Sequence, residues 1–399
     1  MRVLQINVTL NSGSTGRIAS DIGKMIVEKG GQSFIAYGRQ EHQHQPNAIK
    51  IGNRWDQANH LLQTRLFDRH GFLSNKATRI FLQRISELKP DVIHLHNLHG
   101  YYLNVELLFA FLQVWKKPVV WTLHDCWAFT GHCTYFTHVN CQKWKTQCYQ
   151  CPLKKEYPSS IGLDRSKNNF FKKKEAFSSL KNLALVTVSD WLKSMVSSSF
   201  LNDKECTTIY NGVNLEVFRP MSSSSLSKYG IVSTYILAVA NIWTKRKGLD
   251  DLKALRSILT PSLQMVVIGL SQEQIRDLPP GMVGIERLQN VNDLAELYSG
   301  ASVFVNPSKL ETFGMVTAEA LACGVPVVVY DATASPELVA EGTGYVVPEH
   351  DIAGMATAIA KIMRNGTSSY RQRCRDAATA QFDKEKQYEK YFALYKSLL

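Results

Sequence analysis

The sequence predicts an α/β protein built from two doubly wound, parallel-sheet domains. Three observations carry that expectation. Short apolar runs of strand length alternate with helix-length amphipathic runs, the pattern of a parallel sheet flanked by helices. The alternation occurs twice, on either side of a mid-chain stretch rich in Gly, Pro and Ser. The chain has 399 residues, 45% hydrophobic and 20% charged, enough for two ordinary cores.

In the first half the strand-like runs are 2–7, 33–37, 91–95, 118–123, 184–188 and 206–209. The opening run, Met1 to Asn7, has no apolar signal-peptide core and no small-residue cleavage site, so a first strand is expected there. The turn after it, Asn11-Ser12-Gly13-Ser14-Thr15-Gly16-Arg17, is neither a dinucleotide fingerprint nor a P-loop. Its glycines let backbone N–H groups approach a ligand, and a plain tight turn explains them equally well. Period-two alternation puts His94 and His96 on one face, as core or cleft-lining residues. Val119–Leu123 ends in His124-Asp125, a titratable pair where a substrate hydroxyl would be met.

Four of the eight cysteines crowd together as Cys133, Cys141, Cys148 and Cys151, within a segment of roughly 126–160. In a reducing compartment such crowding favours metal over disulfides, and Cys148-x-x-Cys151 is a knuckle for tetrahedral metal. A structural zinc is expected, with His132 or His138 as replacements for one sulfur; free or oxidisable thiols are the alternative. Lys143 to Lys174 then carries nine Lys or Arg against two acids, with Phe170, Phe171 and Phe177 in the expected helix. Basic and aromatic residues suit an anionic membrane surface, and a solvated helix with core aromatics explains them as well.

Asn211-Gly212-Val213-Asn214, Phe218-Arg219-Pro220 and the serine run 222–225 form the linker. The expected domains are 1–213, with the Cys-rich insertion, and 214–382. The last stretch, 383–399, has aromatic and leucine residues at helical spacing.

In the second half the runs are 235–240, 264–268, 283–286, 302–305, 325–329 and 344–347. Asn241 to Gly248 follows the first of them and opens a helix at Leu249. Its consecutive cations, Lys245, Arg246 and Lys247, stand where ligands of such sheets bind; Arg offers phosphate a planar fork and Lys a point charge. Ser302–Val305 ends in Asn306-Pro307-Ser308, and a helix starts near Gly314. Free N–H groups at such a helix start attract a phosphate. Glu311 and Glu319 bracket that start, placed to grip a sugar at one end and a ribose at the other.

The stretch Pro307-Ser308-Lys309-Leu310-Glu311-Thr312-Phe313-Gly314-Met315-Val316-Thr317-Ala318-Glu319, continuing through Cys323-Gly324-Val325-Pro326, closely resembles the donor-binding core of GT4 retaining glycosyltransferases of GT-B fold. Asn211–Asn214, Phe218-Arg219-Pro220, Arg246-Lys247-Gly248 and Pro336-Glu337-Leu338-Val339 extend the resemblance in the right order. Thr122–Trp127 with the downstream cysteines looks like the bacterial polysaccharide-building branch. Two positions depart from the pattern: Asn241 stands where many members have Arg, and Thr333 and Ala334 replace paired glycines.

The resemblance implies two Rossmann-like domains facing a cleft, with the C-terminal helix crossing back to the first. It implies a UDP- or GDP-sugar donor on the second domain and a saccharide or lipid-linked saccharide acceptor on the first. By position, Glu319 would bond the ribose and Glu311 the donor sugar. Phe313, Gly314, Met315 and Val316 would line the diphosphate or sugar, with Asn241 and Gly16 nearby. Arg246 and Lys247 would neutralise the leaving diphosphate, and His124 would lie near the reacting sugar. The family generally needs no catalytic metal. Expected, then, is a retaining transferase of cell-surface polysaccharide synthesis, cytoplasmic or peripheral at the inner face of the plasma membrane.

Two other readings compete. A nucleotide-sugar epimerase would use the same fold. A zinc-stabilised nucleic-acid-binding protein would use the +12 charge, 46 basic against 34 acidic residues, but leaves the two glutamates unexplained. Nucleic acid is therefore not expected as a partner. No run of about 18 apolar residues is present to span a bilayer.

Overall fold

A computed structural model describes the chain except for residues 41–45, 223–225 and 289. Most of the serine run expected in the linker therefore lies outside the described residues. The chain forms two units, Met1–Ile209 completed by Tyr388–Leu399, and Tyr210–Gln387. The first division falls at Tyr210 because the linker is already bonded into the second unit: Val213 N–H donates to Phe382 O (2.7 Å) and Lys384 N–H to Val213 O (3.0 Å).

The first unit holds seven strands: β1 (Arg2–Asn7), β2 (Gln32–Tyr37), β3 (Ala48–Lys50), β4 (Val92–Leu95), β5 (Val119–Leu123), β6 (Leu183–Thr187) and β7 (Cys206–Thr208). Their order is β3-β2-β1-β4-β5-β6-β7, every pair parallel. β4, β5 and β6 are buried at every residue. That is why they read as unbroken apolar runs instead of alternating ones. β3 escapes the sequence reading, being three residues of half-covered edge with no apolar run.

Helix Gly13–Glu28 buries Ile18, Ile22, Met25 and Ile26, one stripe at helical spacing. That stripe shares a core with Val3, Val92 and Val120, and with Tyr388, Tyr391 and Tyr395 of the helix Lys384–Leu398. The C-terminal helix thus crosses back and completes the first unit. Tyr395 Oη lies 2.6 Å from His94 Nδ1, and His94 Nε2 lies 2.7 Å from Thr122 Oγ1. With both ring nitrogens bonded in the interior, His94 belongs to the core.

The second unit holds β8 (Tyr235–Val239), β9 (Gln264–Ile268), β10 (Met282–Ile285), β11 (Val303–Asn306), β12 (Val327–Tyr330) and β13 (Gly344–Val347). Their order is β10-β9-β8-β11-β12-β13, again all parallel. In each sheet the chain order reverses at one place, between β1 and β4 and between β8 and β11. Ligands of open α/β sheets bind outside the strand ends at such a reversal.

In the basic stretch, helix Ser166–Ser178 turns Phe170 and Phe177 into the core and leaves Phe171 exposed. Lys173 is buried as well. Among the described residues no helix is long and apolar enough to cross a membrane.

Candidate active site

In the second unit both segments at the sheet reversal are drawn together. β8 runs out through exposed Asn241, and Trp243 anchors the exit by donating its indole N–H to Ile268 O (2.9 Å). A three-residue 3-10 turn, Lys245–Lys247, follows and ends on Gly248 at φ +80°. A Cβ on Gly248 would lie 2.4 Å from Pro307 O, so glycine lets the cationic turn touch the loop after β11. The contact is fixed by Lys309 N–H donating to Arg246 O (2.9 Å).

That loop positions Glu311. Asn306 Oδ1 accepts from Ser308 N–H (3.2 Å) while its amide donates to Thr317 Oγ1 (3.0 Å). Glu311 N–H donates to Thr333 Oγ1 (2.8 Å), and Ala334 N–H returns a bond to Glu311 O (3.2 Å). Thr333 sits at φ +51°, left-handed backbone that favours glycine. Its hydroxyl holds the backbone of the first glutamate.

Glu311 Oε1 lies 2.5 Å from Lys247 Nζ, with the carboxylate largely covered and the ammonium about one-third exposed. Helix Met315–Ala322 begins on Gly314 (φ +104°), which supplies no side chain to cap the first turn. Met315 and Val316 are half-buried there. Glu319 Oε2 accepts from Tyr298 Oη (3.1 Å), a buried tyrosine absent from the sequence reading. Arg246 lies in the turn beside Lys247, within the same group. The side chain of Phe313 is committed elsewhere: it is buried against Tyr210 and Phe382.

The first unit gathers imidazoles at its own reversal. Gln5 donates its amide to Ala19 O (2.8 Å), leaving Gln5 Oε1 to accept from His96 Nε2 (3.1 Å). His96 Nδ1 then accepts from His124 Nε2 (3.2 Å), and His124 Nδ1 keeps a lone pair. Burial pushes His124 down to about 4, so the ring is neutral near pH 7. Asp125 takes a different partner, His99 Nε2 at 2.7 Å, and His99 Nδ1 meets Tyr157 Oη at 3.0 Å. Burial works to raise the Asp125 carboxyl, but the His99 ring, its hydrogen bond and the Trp127 N–H hold it below the usual carboxylate range. His70, buried among Tyr101, Trp127 and Tyr157, completes the wall. Gly16 has a packing role: a Cβ there would meet Thr9 Oγ1 at 2.8 Å.

His132, Cys133, Cys141, Cys148 and Cys151 line one small pocket in the insertion. His138 is turned away, toward Glu156 (3.2 Å). Among the described residues no three His, Cys, Asp or Glu side chains stand at metal-holding spacing.

The second unit therefore offers paired cations, an uncapped helix start and two carboxylates on one sheet, while a like sheet in the first ends in hydrogen-bonding rings. That organisation defines a GT-B glycosyltransferase. Two family models match, Glycosyltransferase Family 4 over residues 16–217 and Glycosyl transferases group 1 over residues 233–365. The chain belongs to Glycosyltransferase Family 4.

It is 25% identical to WcaC of Escherichia coli strain K12, named for colanic acid biosynthesis glycosyl transfer, over 88% of each chain. Two solved structures share the fold over the whole of this chain. Sucrose-phosphate synthase of Thermosynechococcus elongatus matches with TM-score 0.73 and 18% identity, over 98% of its own chain. HepE of Anabaena, solved with UDP and glucose, matches with TM-score 0.69 and 15% identity, over all of its chain.

Proposed function

We propose that this glycosyltransferase moves a sugar from a UDP- or GDP-sugar to a hydroxyl of a saccharide acceptor, retaining anomeric configuration, in cell-surface polysaccharide synthesis. The observation that carries the reading is the Lys247–Glu311 pair beside the uncapped helix start at Gly314. The two groups neutralise each other until a diphosphate arrives. Lys247 then exchanges its carboxylate for phosphate oxygens, and Glu311 is released to accept hydrogen bonds from the donor sugar. Arg246, Lys247 and the helix N–H groups face the charge that grows on the departing diphosphate, where fixed charge lowers a barrier most. Glu319, oriented by Tyr298, takes the ribose hydroxyls. The neutral His124 ring offers a lone pair to a sugar hydroxyl, and Glu311 orients without becoming a nucleophile.

HepE with UDP and glucose supports the donor class, and the name of WcaC supports the polysaccharide setting. A lipid-linked acceptor at an anionic membrane surface is the finer reading, supported by exposed Lys145, Lys155, Arg165, Lys167 and Lys174.

The test is turnover of Lys247→Ala and Glu311→Gln with a panel of UDP- and GDP-sugars. Each variant is expected to lose about 10²–10³-fold in kcat while keeping its fold. Normal turnover in both would reject the assignment. Thermal shift of the unaltered protein with the same panel sorts the base, since a bound ligand raises stability.

A further inference from the structure

The insertion between β5 and β6 has an unusual problem of order. From Thr130 to Arg165 it contains no strand and no α-helix, only the 3-10 turns Thr137–Val139 and Lys143–Lys145. Segments of this kind are held by cross-links, because too little repetitive hydrogen bonding is available. Yet it is pinned at three of its four clustered cysteines. Gly131 N–H donates to Cys148 Sγ (3.3 Å), Trp144 Nε1 to Cys141 O (3.0 Å) and Cys151 N–H to Asp164 Oδ2 (2.7 Å). Lys143 Nζ spans the turn between the last two cysteines, donating to Tyr149 O (3.0 Å) and Gln150 O (3.2 Å).

Two further observations point to what the sulfurs would hold. His132 Nδ1 lies 2.6 Å from Asp68 Oδ1, while its buried Nε2, on the cysteine pocket, has no hydrogen-bond partner. A carboxylate-oriented imidazole beside thiols is the outer support seen around metal centres. Lys173 is 1% exposed and donates to Trp127 O (2.7 Å) and Thr130 O (3.0 Å), but no carboxylate lies within ion-pair distance of it among the described residues. A buried amine of this kind calls for nearby negative charge, and a metal–thiolate centre that includes Cys133, three residues beyond Thr130, would supply it.

We propose that Cys133, Cys141, Cys148 and Cys151 close on one structural zinc ion, with the His132 ring held beside them by Asp68. Among the described residues the sulfurs do not already stand as a metal-holding group. Binding draws them together, releasing their protons as zinc–sulfur bonds form. The centre would fix the insertion's outgoing arm, which carries Tyr157 to His99. The proposal does not depend on the donor site.

The test is zinc content of the full chain, grown with zinc, purified under reducing conditions and dialysed. About one zinc per chain is expected, falling below about a tenth in a Cys148→Ser/Cys151→Ser double variant. Cobalt exchange into the unaltered protein should give the intense visible absorption of tetrahedral thiolate cobalt, which keeps the test decisive if the double variant fails to fold. The variant, if folded, should still show the thermal shift with donor. A zinc-free unaltered protein, a disulfide among these cysteines under reducing conditions, or full zinc in the double variant would overturn the proposal.

Discussion

Histidine divides the two units. Of eleven histidines the second unit has only His350, whose side chain is 62% exposed, and all the others belong to the first. Five of those, His60, His70, His94, His96 and His124, are buried with their pKa pushed down, first by burial, to about 3 for His60 and about 4 for His124. The sheet reversal of the second unit instead collects Arg246, Lys247, Glu311 and Glu319. One unit presents charged side chains at its sheet reversal, the other hydrogen-bonding rings. A diphosphate calls for the first kind of site and a sugar hydroxyl for the second.

Acid should break that symmetry most strongly. A buried histidine neutral in the fold takes up a proton on unfolding below its ordinary pKa of about 6.5, so the unfolded chain binds more protons there. Stability contributed by these residues is therefore intact at pH 7 and falls as pH drops toward their folded values. For His60 and His124 the loss at pH 5 is about 2 kcal/mol each, and both lie in the first unit. Hydrogen exchange between pH 7 and 5 should show β4 and β5 losing protection while β11 and β12 keep theirs. Equal loss in both sheets would erase the distinction.

A smaller effect is expected inside the first unit. Tyr395→Phe removes the hydroxyl bonded to His94 and leaves a buried ring nitrogen unpartnered, costing about 1–3 kcal/mol. Denaturant melting should show it, with donor-induced thermal shift unchanged. Smallest of all is the contribution of exposed lysines. Flotation with anionic liposomes should recover the protein at low salt, weakening as salt screens the charge. Equal recovery with neutral liposomes would remove the membrane reading.

How much of this could be read in advance follows from how far apart the parts lie. The second unit's candidate site was legible because β11, its loop and the helix after it are contiguous, so buried valines, Glu311, Gly314 and Glu319 announce themselves together. The Lys247–Glu311 pair joins residues 64 positions apart, and sequence suggested both members but not their contact. Tyr298 escaped because nothing in a helical tyrosine tells that its hydroxyl will reach a glutamate on a neighbouring helix. On the other side, Asp125, His99 and Tyr157 come from three loops, and their meeting depends on tertiary packing alone. The membrane expectation rested on the basic run with its phenylalanines, whose direction the sequence left open; helix spacing sends Phe170 and Phe177 inward and leaves Phe171 exposed.

The C-terminal helix has a consequence for biosynthesis. Tyr388, Tyr391 and Tyr395 fill the interior beside β1 and β4, yet a ribosome makes them only after every strand of the other sheet. Vectorial folding usually lets an early domain mature first. Here the nascent first sheet must wait with an open flank, and the later-made sheet can finish before it.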